Sequence, residues 1–524
     1  MEWSDGYVVE AEYVSNFYRD LSPRILELAT LSQNIDSPAT ETPFTYMELG
    51  CGQGVTTNLN AACTPQATFF AADFNPMHIR NAQGLAQSAG LANMTFLERS
   101  FKELRDDYLP DFDFITFHGV YSWISHENRM EIVDFIRRKL KPGGLVYVSY
   151  NCLPGWTAFA PVRHLMAEYA AYAPHSPEGP TGVMREAIAF AQKVKSIDAA
   201  FFKQNTDAGR KLDDVAKAPP NYLVHEYLNR DWSLAYHAEV VRTFQEAKLT
   251  YVGSSTIMDN MLDLTLTDKA RELVAGIGDV LFRETVTDFI RNRGFRRDIF
   301  IRGGSRISPP VLSERIGRMR FALTVPRNLC KLEVKVPRGS VSFLDKIWNP
   351  IFDALAETPK TVQELSQIPE LSEVPFPVLC RSIIAGVAVG YLWPAAPSSQ
   401  VEQTLVPITD RMNAALLDRA TKGQNAACLA SPTLGTGIAI SPVDMVFFSG
   451  IRSGAADLAA YVWDWLQARG QTVVVKGKPC ESKDEGLAQL AKEVDRIVNS
   501  RVPALNKMGI TFAGKSPSPG NVST

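Results

Sequence analysis

The sequence predicts an α/β fold, a parallel sheet with helices on both faces, followed by further domains. Three observations predict it. Short apolar strands alternate with helical patterns over the first 150 residues, which is β-α repetition. The alternation then breaks into a long helical stretch and resumes as one helix running into one strand. Finally, 524 residues exceed what one hydrophobic core can organise, so three or four domains are expected.

Strands are expected at Thr45 to Leu49, Thr68 to Ala72, Met94 to Glu98, Phe112 to Phe117 and Leu145 to Tyr150. Between them lie a helix opening near Gly54, one over Met77 to Ala89, and one over Asn128 to Leu140 that stops at Lys141-Pro142-Gly143-Gly144. Ligands of such sheets sit at the carboxyl ends of the strands, so the chemistry should follow each strand. Pro161 to Asn229 is helical but broken by Pro174, Pro177, Pro180 and Pro219-Pro220, and reads as an insertion. Ala238 to Val252 then returns to the sheet as helix and strand. Phe343 to Pro394 has the pattern of a small winged-helix-like unit, yet its third helix, Val378 to Val389, offers only Arg381, which argues against reading DNA. Lys515 to Thr524, rich in Ser, Pro and Gly, is expected to be disordered.

Composition excludes several classes. With 54 Lys plus Arg against 57 Asp plus Glu, the net charge of −3 gives no global attraction to nucleic acid or anionic lipid. The amino terminus has no secretory pattern, and the longest apolar run, Ile383 to Trp393, is too short to span a bilayer. The 7 cysteines contain no C-x-x-C pair, and the 7 histidines show no metal-ligand spacing. A reduced, metal-free, cytoplasmic protein is expected. Charge is locally uneven: Arg283 to Arg338 holds 14 basic residues against 5 acidic ones. Such a stretch can grip an acidic partner, or its arginines can pair with acids of neighbouring domains.

Chemistry is announced by Glu48-Leu49-Gly50-Cys51-Gly52-Gln53-Gly54, after an apolar strand and before a helix. Glycines there allow a sharp turn and close approach to a ligand. A dinucleotide site of G-x-G-x-x-G form would need glycine at Val55, and a P-loop would need a lysine that is not there. The next strand ends in Asp73-Phe74, where the carboxylate can accept both hydroxyls of a cofactor ribose or can cap the following helix. Ser100-Phe101, after the third strand, can hydrogen-bond and wall an adenine. The fourth strand ends in His118-Gly119-Val120-Tyr121-Ser122-Trp123 and the fifth in Ser149-Tyr150-Asn151.

Through E-x-G-x-G-x-G, the acid after strand two and the K-P-G-G turn, the sequence resembles class I S-adenosylmethionine-dependent methyltransferases. A wider resemblance rests on Phe17 to Pro23 (FYRDLSP), His118 to Trp123, Ser149 to Trp156 (SYNCLPGW), Tyr222 to Asn229 (YLVHEYLN) and Leu429 to Ile438 (LASPTLGTGI). These are similar to bacterial methyltransferases with a methyltransferase regulatory domain, best known from the rickettsial protein-lysine methyltransferases that act on outer-membrane protein. The resemblance implies a Rossmann-like methyltransferase sheet with a helical insertion, a middle domain and an α+β, winged-helix-like C-terminal domain. The expected boundaries are a cofactor-binding core at 1–152 resumed at 231–262, a dimerisation insertion at 153–230, a middle or regulatory domain at 263–340, a C-terminal domain at 341–514 and the tail at 515–524. It also places His118 beside the cofactor's methionine moiety, where a purely structural histidine is the alternative. Tyr7, Tyr13 and Tyr18 precede strand one and can form a lid, or belong to a helix packed on the sheet.

On the acceptor side, a lysine amine must first lose a proton, which costs about 4 kcal/mol at pH 7.4 from an ordinary pKa near 10.4. Aromatic walls desolvate the ammonium and attract the cationic product. Tyr121, Trp123, Tyr150 and Trp156 are the candidate walls, and Asn151 can accept an amine hydrogen bond. Each aromatic has packing as its alternative. The expected function is N-methylation of protein lysine, with a small-molecule O- or N-methyltransferase and a catalytically silent cofactor-binding protein as alternatives. A protein substrate and a homodimer are the expected partners, without nucleic acid or membrane insertion.

Overall fold

A computed structural model describes residues 16–398, 401–424, 427–475 and 478–512. Tyr7, Tyr13 and the tail from Lys515 lie outside the described residues. A seven-stranded sheet forms the centre, with β1 (Thr45–Leu49), β2 (Thr68–Asp73), β3 (Met94–Glu98), β4 (Phe112–Phe117), β5 (Leu140–Asn151), β6 (Leu249–Ser254) and β7 (Phe295–Arg302) in the order β3-β2-β1-β4-β5-β7-β6. The first five strands are parallel; β7 runs antiparallel to both β5 and β6. Strand order reverses between β1 and β4, which opens a crevice at their carboxyl ends. The central strands are buried on both faces and are mostly apolar, as in Phe112–Phe117, where only Asp113 is not fully buried.

Local chemistry sets the helix boundaries. Asn75 caps Pro76–Ala89 by accepting from the Met77 amide, and Gly90 ends it in the left-handed region. Ser125 caps His126–Lys139. That helix passes directly into β5, so Lys141-Pro142-Gly143-Gly144 is an irregularity inside a strand and not the loop before one.

The insertion comprises helices Ala160–Tyr172, Gly179–Ser196, Ala200–Gln204, Thr206–Val215 and Pro220–Tyr227 around a core of its own, including Trp156, Phe159, Met184, Leu212 and Leu223. Two expected boundaries are corrected. Sheet strand β7 lies within 263–340, so that span is not a separate domain and the catalytic sheet extends to Arg302. The sequence hid this because β7, Phe-Arg-Arg-Asp-Ile-Phe-Ile-Arg, carries a buried arginine and aspartate in its interior face. Likewise, the winged-helix-like unit has Arg320–Leu323 as the central strand between Lys360–Thr361 and Leu392–Ala395, so a boundary at 341 cuts through it.

The rest of the chain, from Val406–Thr421 to Val502–Lys507, packs helices around the hairpin of Cys428–Ser431 and Thr436–Ala439. Its apolar core is continuous with Val55, Leu59 and Leu85 of the catalytic sheet's helices. Arg411 and Arg419 donate to the carbonyls of Ala89 and Asn81 across that contact.

The arginine-rich stretch is spent internally. Arg296 is fully buried between Asp298, Asp288 and Glu284; Arg293 and Arg291 meet Asp259; Arg297 meets Asp20; Arg315 meets Glu27 and Asp36; Arg320 and Arg327 meet Glu364 and Asp353. Pairing with neighbouring elements, rather than a free basic face, accounts for most of it. Among the described residues, no helix is long and apolar enough to cross a membrane, and no group of three His, Cys, Asp or Glu side chains could hold a metal ion.

Candidate active site

A cavity occupies the crevice at the ends of β1, β2 and β4. It is lined by Tyr18, Glu48, Gly50, Gly52, Gly54, Asp73, Phe74, Phe101, His118 and Trp123 among the expected residues. Gly50, Gly52 and Gly54 have φ of +68°, +52° and +66°, values that favour glycine strongly. Space demands glycine as well: a Cβ at Gly50 would lie 2.6 Å from Val120 Cγ2, and one at Gly54 2.5 Å from the Ala82 Cβ.

Asp73 is held rigidly at the cavity. Its carboxylate accepts from the Gly52 amide at 2.9 Å, from the Asn75 amide at 2.9 Å, and lies 3.1 Å from His78 Nδ1. The side-chain cap of the following helix belongs to Asn75. A carboxylate has about four acceptor positions, so capacity remains for a ligand hydroxyl. Burial, partly countered by a hydrogen bond from Thr57, raises the Glu48 carboxyl to about 7. Burial and the nearby Arg297 lower His118 to about 3, so its imidazole is neutral, with Nδ1 at 2.7 Å from the Tyr147 hydroxyl. The Tyr18 ring lies against it, centroids 4.0 Å apart.

Ser100 does not line the cavity. Its amide and hydroxyl bond the Glu103 carboxylate at 2.7 and 2.8 Å, closing a short turn. Three of the expected acceptor walls are also displaced. Tyr150 is fully buried and donates to Asp298 at 2.6 Å within the Arg296 and His237 network. Tyr121 is core, packed on Tyr150 and Phe244. Trp156 belongs to the insertion core beside Phe159, Tyr227 and Trp232, with Lys211 Nζ 3.9 Å from its ring centroid. In each case packing or a buried hydrogen bond outweighed exposure to a substrate.

Trp123 does reach the cavity, and it leads to a group that sequence reasoning missed. Its indole N–H donates to the main-chain carbonyl of Glu226 at 3.4 Å. The Glu226 side chain accepts from Asn151 Nδ2 at 3.4 Å and interacts with Tyr222, Lys211 and Arg163. Burial raises this carboxyl to about 7 despite those partners, and raises the Tyr222 phenol to about 12. The signal was an acid in the largely apolar helix Pro220–Tyr227. Gln53 of the glycine loop lines the cavity as well, as do His78 and Thr56, which the sequence did not mark.

A class I methyltransferase sheet with a glycine loop after β1 and an acid after β2 defines an S-adenosylmethionine-dependent methyltransferase. Residues 42–212 match the family model "Methyltransferase domain", and 219–302 match "Predicted methyltransferase regulatory domain". The chain belongs to the class I S-adenosylmethionine-dependent methyltransferases that carry this regulatory domain. The matched regulatory span includes β6 and β7, so it completes the catalytic sheet. An uncharacterized protein of Synechocystis sp. is 38% identical over 511 residues, 98% of this chain and all of that one. Malonyl-[acyl-carrier protein] O-methyltransferase of Paenibacillus sp. is 28% identical over 164 residues, 30% of this chain and 56% of that one. The fold is shared with PKMT2 from Rickettsia typhi in complex with AdoHcy, at TM-score 0.66 and 18% identity, covering 95% of this chain and 99% of that chain.

The cofactor is S-adenosylmethionine, and the cradle suits it. The three glycines let the loop turn tightly along the cavity, Asp73 can accept a ribose hydroxyl, and Phe74 and Phe101 offer apolar faces. A neutral His118 adds no positive charge near a sulfonium.

Proposed function

We propose that this methyltransferase N-methylates lysine side chains of a protein. The observation that carries the proposal is Glu226: a part-buried carboxyl held near 7, joined to the cavity wall through Trp123 and hydrogen-bonded by Asn151. When bound, S-adenosylmethionine supplies an electrophilic methyl group. The protein's task is to deliver a neutral amine to it. Burial at this junction destabilises a lysine ammonium, and ionised Glu226 takes its proton, general-base work worth roughly 10²–10⁴-fold. Asn151, whose amide nitrogen is directed to Glu226, has its carbonyl oxygen available for the remaining amine N–H. Trp123, Tyr18 and Tyr222 offer ring faces to the cationic product. Supporting a protein acceptor is the architecture shared with PKMT2 beyond the catalytic sheet, which can serve as docking surface.

The test is transfer of labelled methyl from S-adenosylmethionine into a whole bacterial lysate, with products separated by mass and sites mapped by mass spectrometry. Methyl-lysine in protein is the expected product, reduced at least a hundredfold by Glu226→Gln. Label confined to small metabolites would overturn the lysine assignment and leave the methyltransferase assignment standing.

A further inference from the structure

Four consecutive residues beside the cavity reach four parts of the molecule. The Phe17 ring lies against Gly437 of the C-terminal hairpin so closely that a Cβ there would come within 2.8 Å of Phe17 Cε2. Tyr18 lines the cavity, and its amide donates to Thr56 Oγ1 at 3.0 Å. The Arg19 guanidinium stands 4.1 Å from the ring centroid of Trp393, on the Leu392–Ala395 strand of the winged-helix-like unit. Asp20 pairs with Arg297 of β7 at 3.4 Å. Leu21, fully buried, pins the far end of the short turn Arg19–Leu21, and these anchors position the residues ahead of it.

We propose that Phe17 to Asp20 is a clasp over the cofactor, and that the winged-helix-like unit and the C-terminal hairpin set cofactor affinity by holding it shut. The physical basis is population: a site competent only when closed binds with an apparent Kd equal to the intrinsic value divided by the closed fraction. Each anchor from a distant unit raises that fraction, with Arg19 and Gly437 acting as positioning residues that need not touch the ligand. The inference rests on the cofactor site and is independent of the acceptor's identity.

The experiment uses the full chain with S-adenosylhomocysteine as probe. Arg19→Met, which keeps the aliphatic stem and removes the charge over Trp393, should weaken calorimetric affinity about threefold to tenfold. Gly437→Val should do at least as much by pushing Phe17 away. In the Arg19→Met background, Trp393→Leu should add less than twofold, because the two act as one contact. Amide exchange of residues 16–21 should slow on adding the probe to wild type, and be faster in unliganded Arg19→Met than in unliganded wild type. Wild-type affinity in folded Arg19→Met, or exchange at 16–21 indifferent to the probe, would overturn the proposal. Arg19 is an exposed side chain, so this variant decides the matter even where Gly437→Val fails to fold.

Discussion

Glu226→Gln should give a protein that is more stable and less active. Holding a carboxyl at about 7 in place of an ordinary 4.5 means that ionising it costs roughly 3 kcal/mol more in the folded protein than in the unfolded chain. The folded value is the higher one, so this group's contribution to stability is fully present below about 4.5 and is lost as pH rises through about 7. Glutamine does not ionise. At pH 8 the variant should therefore gain up to about 3 kcal/mol over wild type, and at pH 4.5 almost nothing. Calorimetric melting at both pH values measures the difference, and the quantity to compare is how the gap between variant and wild type changes with pH. In a methyl-transfer assay, wild-type turnover should break near pH 7 and fall about tenfold per unit below it, whereas the residual rate of the variant, which draws only on amine already neutral, should rise with no break at 7 toward the lysine pKa near 10.4. A gap between the melting curves that ignores pH, or a break near pH 7 that survives in the variant, would refute the argument that this carboxyl is the poised base.

Other outcomes follow from the same geometry. Asp73→Ala should bind S-adenosylhomocysteine at least tenfold more weakly by calorimetry, because a charge-assisted hydrogen bond is worth about 1.5–3 kcal/mol and the Gly52 amide also loses its acceptor. Tyr150→Phe should lower the melting temperature by removing one of the buried hydrogen bonds to the Asp298 carboxylate while leaving cofactor affinity within twofold; a large affinity loss without destabilisation would return Tyr150 to the site. Sedimentation at micromolar concentration tests whether the insertion dimerises the chain: a dimer that becomes monomeric when residues 161–229 are excised is expected, and a monomeric wild type would rule it out.

The parallel half of the sheet was legible because its strands are short, largely apolar runs bounded by turn residues, and the glycine loop was legible because three positive-φ residues at fixed spacing leave a composition mark. Asp73 and Phe101 followed from their positions after strands. What stayed hidden depends on contacts distant in sequence. The ion-paired interior of β7 cancels its apolar signal: Arg296 and Asp298 look solvent-bound until Tyr150, His237 and Asp288 are seen around them. The aromatics at 121, 150 and 156 sat at the right distance after strands, but periodicity could not tell which face each ring would take. Glu226 was hidden because its helix comes some 75 residues after Asn151, the side chain it meets.

The position of β7 has a consequence for how the chain is made. Strand β5 ends at Asn151, and the strand that covers its outer edge begins at Phe295. At about 5–20 residues per second, that edge emerges from the ribosome roughly 7 to 30 s before its partner. An uncovered strand of this kind invites pairing with other chains. The intervening helices can gather around Trp156 and Leu212 without waiting for later sequence, and so occupy that interval with a folded unit tethered at the open edge. Both a chain truncated before Phe295 and one ending shortly after Arg302 bare the helix faces that the C-terminal core covers, so the open edge should show as faster aggregation of the shorter one.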